Sequence, residues 1–368
     1  MWLIIFGVSI LLGVFGIVYL AGKVEKTGIF NNIESRVLAK LAAYAVVAAV
    51  VALLVLLLDT TNAIIIVIHV AAFLLIGDLT GLIIRRSAGA DVSQRIIDLI
   101  AVLACFVYFA VGWYLMHGLW ETDYLVATDK QVGKIKIAHI ADSHIGTGFS
   151  GRGFAEKLAR IQEAQPDILV ITGDFVDDST MKQDMLDACE ALSEFDAKYG
   201  VYYVLGNHDF GYYSNGRRGY SGDELLDELR KSGVNVLLDE TADIDGRICI
   251  VGRKDAGYGG SDRKSIADLM ETIPDHLFTV VLDHQPTDYE AEAAANADLV
   301  LSGHTHGGQL WPLEYIQPLI SENDNVRGEV KIGNTTFIVT DGISDWAIRF
   351  RTGCKSEYNI ITVEEERK

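Results

Sequence analysis

Five short motifs distribute side chains able to hold a metal or move a proton along residues 142–306. They are Asp142-Ser143-His144, Gly173-Asp174 with Asp177, Gly206-Asn207-His208-Asp209, Asp283-His284 and Gly303-His304-Thr305-His306. Asp142, His144, Asp174, Asn207, His284, His304 and His306 together offer four imidazoles, two carboxylates and one amide oxygen. That is more than one tetrahedral ion can use, and it suits two divalent cations sharing a carboxylate. Nitrogen and oxygen donors without sulfur favour Mn, Fe or Zn over a soft-metal site. Glycines ahead of Asp174, Asn207 and His304 let the backbone turn sharply and approach a substrate.

An isolated Asp-x-His or Gly-Asp is usually a surface turn, so the weight rests on where the motifs fall. β-Branched runs predict strands at Lys134–Ala141, Ile168–Thr172, Val201–Leu205, Asn235–Leu238, Arg247–Val251, Phe278–Asp283, Leu299–Ser302, Lys331–Asp341 and Tyr358–Val363. Amphipathic stretches near Ala155–Ala164, Met181–Lys198 and Asp223–Lys231 predict helices between them. The alternation indicates an α/β domain. Each motif follows a strand, and open α/β sheets collect their ligands at those C-terminal strand ends. His139 shares a strand face with Ile135 and Ile137 and reads as a packed side chain, and His117 and His276 read as an interface residue and a helix-end residue.

The chain of 368 residues carries a net charge of −19, yet half of it is hydrophobic. Residues 1–120 are nearly charge-balanced at +1, and residues 121–368 carry −20. This segregation excludes a single soluble domain and a disordered chain. So acidic a domain also repels phosphate backbones, which argues against nucleic acid as a partner. Four apolar stretches, about 2–22, 41–58, 63–84 and 96–115, have the length of membrane helices, giving a transmembrane region over 1–120, a linker over 121–133 and a catalytic domain over 134–368. Basic residues gather after the first span (Lys23, Lys26, Arg36, Lys40) and after the third (Arg85, Arg86, Arg95). The positive-inside rule puts those loops in the cytoplasm and the acidic domain outside, with Trp2, Trp113, Tyr114 and Trp120 at the outer interface. His69 and Asp78, nine residues apart in the third span, point to opposite helix faces. The scattered Cys105, Cys189, Cys249 and Cys354 form no CxxC site; Cys105 reads as packing and the others as buried thiols or one disulfide.

The ordered set D-x-H, GD-xx-D, GNHD, a lone His and GHTH resembles the calcineurin-like metallophosphoesterase family, over essentially all of residues 134–363. Gly303–Gln309 and the stretch from Asp341 through Arg351 and Cys354 to Glu357 look like its membrane-associated, exported bacterial branch, and the four spans like transmembrane proteins with a metallophosphoesterase domain. The resemblance implies a two-sheet β-sandwich flanked by helices. It implies one metal on Asp142, His144 and His306, a second on Asn207, His284 and His304, and Asp174 bridging them. It also makes His208 the acid that protonates the leaving oxygen, with Asp209 holding its ring.

The expected activity is hydrolysis of phosphoester or pyrophosphate bonds by metal-activated water, on a lipid or lipid-linked substrate at the outer membrane surface. Arg217, Arg218, Arg349 and Arg351 are candidates for a second phosphate contact. The glycine- and aromatic-rich segments Phe149–Phe154, Gly211–Gly222 and Ala256–Arg263 are candidates for the pocket rim. A broad phosphodiesterase for soluble substrates and a catalytically silent membrane receptor or scaffold are the alternatives. A transporter with a regulatory domain is a third, supported only by His69.

Overall fold

The computed structural model describes residues 2–89, 92–211, 216–259 and 262–366, which divide into two compact units, residues 1–112 and 113–368. The first unit contains helix α1 (Trp2–Lys26), α2 (Arg36–Leu57), α3 (Thr60–Ala88) and most of α4 (Gln94–His117). All four are long and apolar enough to cross a membrane. Ser35 and Asp59 cap the starts of α2 and α3 by accepting from the amides of Leu38 and Asn62, and Gly89 ends α3 in the left-handed region. Outward-facing Leu11, Phe15, Leu56 and Phe106 are exposed, as suits side chains that meet lipid.

Small residues set the helix spacing in this unit. A Cβ on Gly16 would lie 2.9 Å from Val67, and one on Gly77 would lie 3.2 Å from Ile97. Lys23 joins Asp78 at 2.5 Å and Asp98 at 2.7 Å, while Tyr19 donates to Asp78 at 2.6 Å. The charges at one end of the spans thus neutralise each other, as apolar surroundings demand. His69 is held by Ile65 O at 2.8 Å and stacks on Tyr108. The side chain of Trp2 lies outside the described residues.

The second unit is built on two six-stranded sheets. Its first sheet runs β1 (Trp120–Thr128), β12 (Glu357–Glu365), β2 (Lys134–Ile140), β3 (Ile168–Thr172), β4 (Val201–Val204) and β5 (Asn235–Val236). The second runs β10 (Gly328–Ile332), β11 (Thr335–Val339), β9 (Leu299–Ser302), β8 (Phe278–Leu282), β7 (Ile248–Gly252) and β6 (Glu240–Ile244). Strands β2, β3, β4 and β5 are parallel, as are β7, β8, β9 and β11. Alternation along β3 shows how the layers form: Ile168 and Val170 enter the core between the sheets, and Leu169 and Ile171 enter a core under helices. Those helices are α5 (Gly151–Gln162), α6 (Lys182–Ser193) and α7 (Gly222–Lys231). A third apolar cluster, including Val251, Val281, Tyr289 and Phe337, covers the outer face of the second sheet. The architecture is the expected helix-flanked two-sheet sandwich.

Three sequence expectations change. Residues 121–133, expected as a linker, contain most of β1, an edge strand that runs parallel to β12 from Trp120↔Glu357 to Thr128↔Glu365. The run Lys331–Asp341 is not one strand but a hairpin, β10 and β11, turning at Gly333, whose φ is +61°. Strand β6 was not foreseen. All four cysteines are buried free thiols, so no disulfide forms.

Candidate metal centre

Three parallel strands of the first sheet and two of the second carry the motifs at their C-terminal ends, and the residues that follow them converge. Asp142 and His144 follow β2, Asp174 follows β3, Asn207 follows β4, His284 follows β8, and His304 and His306 follow β9. Asp142, His144, Asp174, His304 and His306 all have φ between +37° and +72°. That left-handed region costs a non-glycine residue about 1–3 kcal/mol, and such strain persists where surrounding structure imposes it for function. Here the turns aim donors back across the strand ends.

The donors form two groups around Asp174. Asp142, His144 and His306 make one, with His306 Nε2 3.9 Å from Asp142 Oδ1. Asp174, His284 and His304 make the other, with Asn207 Oδ1 3.2 Å from His284 Nε2 and 2.9 Å from His304 Nδ1. Asp174 Oδ2 stands between them, 3.6 Å from His144 Nε2 and 3.3 Å from His284 Nε2. Backbone amides orient both carboxylates: His304 N donates to Asp142 at 2.9 Å and His208 N to Asp174 at 2.9 Å. His284 is fixed through its other nitrogen, 2.8 Å from Thr172 O, as metal-binding imidazoles usually are.

The residues fit two divalent ions on structural grounds. His144 is fully buried, yet neither ring nitrogen has a hydrogen-bond partner among the described residues. Buried polar atoms are rarely left so, and a ligand role accounts for it. Burial drives the pKa of His144 down to about 4 and that of His304 to about 3, leaving both as the neutral imidazoles that metals bind. Burial also pushes Asp142 up to about 7, opposed by His284 and assisted by Asp174, so its anion is short of positive charge. Burial works against the Asp174 carboxylate as well, but His284 beside it holds it well below the usual range.

A Cβ on Gly206 would fall 2.2 Å from Asp174 Oδ1 and 2.3 Å from its backbone nitrogen. Gly206→Ala is therefore expected to displace the shared carboxylate. Metal per chain, read by elemental analysis, should drop by at least half, with secondary structure by circular dichroism retained.

His208 sits beside this centre, its ring 5.0 Å from that of His144. Its Nδ1 is 3.1 Å from Asp178 Oδ2 and 3.4 Å from Asp177 Oδ1. Burial opposes its charge, but these two carboxylates outweigh it and push the pKa up to about 10. Asp209, expected to hold the ring, faces the backbone instead and accepts from the amides of Asp174, Val176 and Gly206 at 3.0, 3.1 and 2.6 Å. It ties the loop after β3 to the loop after β4. Asp177 lay within a motif, but its pairing with His208, the part of Asp178 and the Trp346 ring 5.5 Å from His208 were not foreseen.

Two of the four candidate arginines are structural. Arg218 is 1% exposed and clips the carbonyls of Asp209 and His208, at 2.5 and 3.4 Å. Arg351 is fully buried, with Nε 2.5 Å from Asp345 and Nη1 2.6 Å from Asp341 O. Both guanidiniums are committed to groups of the chain and cannot serve a substrate phosphate. Arg217 and Arg349 are exposed. Among the expected rim segments, residues 212–215 and 260–261 lie outside the described residues. Arg351→Met would strand the buried Asp345 charge, so a loss of about 3–5 kcal/mol is expected in denaturant unfolding. Adding Asp345→Asn should recover part of it, because no unpaired charge then remains.

This site defines a metal-dependent phosphoester hydrolase. A family model described as calcineurin-like phosphoesterase matches residues 135–308. A metallophosphoesterase of Aquifex aeolicus is 32% identical over 66% of this chain and 90% of that protein. One of Campylobacter jejuni is 29% identical over 72% of this chain and 68% of its own length. A bovine transmembrane protein with a metallophosphoesterase domain is 29% identical over 63% of this chain, which spans about half of that relative (54%). The chain belongs to the calcineurin-like metallophosphoesterase family, whose members use a dimetal centre. Its four apolar helices and its transmembrane relatives mark it as a membrane protein.

Proposed function

We propose that the chain hydrolyses phosphoester or pyrophosphate bonds of lipid or lipid-linked substrates, with its catalytic domain outside the membrane. The observation that carries the reading is a two-group donor set sharing Asp174, in a chain that also has four membrane-length helices. Asp142, His144 and His306 would hold one divalent ion, Asn207, His284 and His304 the other, and Asp174 both. Bound there, the ions would supply an activated water and neutralise charge on the phosphoryl oxygens. The chain's own residues do the rest. His208, kept protonated by Asp177 and Asp178, delivers its proton to the departing oxygen as the P–O bond breaks. Asp209 and Arg218 brace the two loops that present Asp174 and His208. Basic residues flanking the first and third loops support an extracytoplasmic domain.

Purified full-length protein supplied with Mn²⁺ should turn over lipid phosphates and lipid pyrophosphates faster than nucleotides at equal concentration. A preference for nucleotides would support the soluble-substrate reading. Full metal occupancy without turnover would support a silent receptor. Protease added to intact cells should digest the domain, and its protection would reverse the topology.

A further inference from the structure

A cavity of about 350 Å³ lies within the catalytic unit, lined by residues within 116–119 and 148–160 and by Ser344. Its lining includes Met116, Leu119, Phe149, Lys157, Arg160 and Ser344, with one carboxylate, Glu156, beside the two cations. Met116 belongs to the last turn of α4, the fourth apolar helix, so the cavity adjoins the point where the chain leaves that helix. Ser344 connects it to the donors: this residue contributes to the lining, and its carbonyl is 3.3 Å from His306 Nδ1 and accepts from Arg351.

Two cations in the lining suit this cavity to an anion. Lys157 and Arg160, one helical turn apart on α5, have no carboxylate within ion-pair distance among the described residues; Lys157 meets only the Phe149 ring, at 5.0 Å. Burial, with Arg351 and Arg160 adding to it, lowers the Lys157 pKa to about 8, as expected of a cation lacking a counter-ion. The Met116, Leu119 and Phe149 side of the cavity is apolar.

We propose that this cavity binds a phosphate group carried by an amphiphile, with Lys157 and Arg160 on the phosphate and the apolar wall against the first carbons of the chain. The ligand is a phosphate whose source is a lipid headgroup; the lipid origin rests on the function proposed above, whereas the phosphate chemistry does not. The cavity would then hold a substrate or a bilayer lipid one residue away from the metal ligands.

The test is calorimetric titration of the full-length chain in detergent with dioctanoyl phosphatidate, dioctanoylglycerol, glycerol 3-phosphate and inorganic phosphate. It is run on the wild type and on Lys157→Met, Arg160→Met, Lys157→Arg and Asp174→Asn. Phosphatidate should bind saturably, about ten- to hundredfold more weakly to either methionine variant, with Lys157→Arg close to wild type. Binding should persist in Asp174→Asn, so a failure of the hydrolase reading leaves this result interpretable. Much weaker binding of glycerol 3-phosphate identifies the lipid source. Equal binding, with the same dependence on Lys157, keeps the phosphate site but makes its ligand soluble. Unchanged affinity in correctly folded methionine variants, or dioctanoylglycerol binding as tightly as phosphatidate, overturns the proposal.

Discussion

Asp174→Asn is expected to lower kcat by about 10³-fold or more and to reduce bound metal from two ions per chain to one or none. The size follows from what a Lewis-acid centre contributes to transition-state charge, several kcal/mol. The direction follows from position. Among the described residues, Asp174 Oδ2 is the one carboxylate oxygen within 3.6 Å of an imidazole from each donor group. An amide in its place keeps the shape but loses the charge that neutralises two cations. It also lets an NH₂ group face His144 or His284. Asp174 receives the His208 amide at 2.9 Å as well, so the substitution disturbs the loop after β4. Retained folding with lost metal separates this effect from collapse of the unit. Elemental analysis beside steady-state kinetics reads both quantities on one preparation.

His208→Gln should leave both metals bound and lower kcat by about 10²–10⁴-fold on esters with alkyl leaving groups. On p-nitrophenyl esters the loss should shrink to within about tenfold, because that leaving group departs without a proton donor. His208 makes this division because its ring lies beside the donor groups without belonging to the two that share Asp174. Its Nδ1 is held by Asp178 and Asp177, which keep the ring protonated. Equal losses on both ester types would remove the acid role. Loss of metal would make His208 a ligand; with His144 and Asp177 it does form a third donor group.

The sequence made most of this arrangement legible, for a physical reason. Fully buried parallel strands are continuous β-branched runs, so Ile168–Thr172 and Leu299–Ser302 could be bounded to the residue. Once the strands are placed, the residues just after them collect at C-terminal strand ends, and the seven donors, drawn from both sheets, converge there. What was missed depends on partners distant in sequence. Strand β1, WETDYLVAT, is half-exposed and acidic, and its pairing partner β12 lies more than 200 residues away. Asp209 follows His208 directly and was expected to hold its ring, whereas the carboxylates that do so come from the turn after β3. Arg218 and Arg351 were expected as candidates for a phosphate contact. Their burial depends on carbonyls and a carboxylate presented by folded loops, which no local pattern reveals. The left-handed backbone at five donors is equally invisible in composition, yet it directs them inward.

The central claim is that two ions share Asp174, and anomalous diffraction from crystals of the full-length protein grown with manganese tests it most directly. The account predicts two anomalous peaks, one against Asp142, His144 and His306, the other against Asn207, His284 and His304, each within coordination reach of Asp174. A single peak, or peaks that leave Asp174 without a metal, would contradict it.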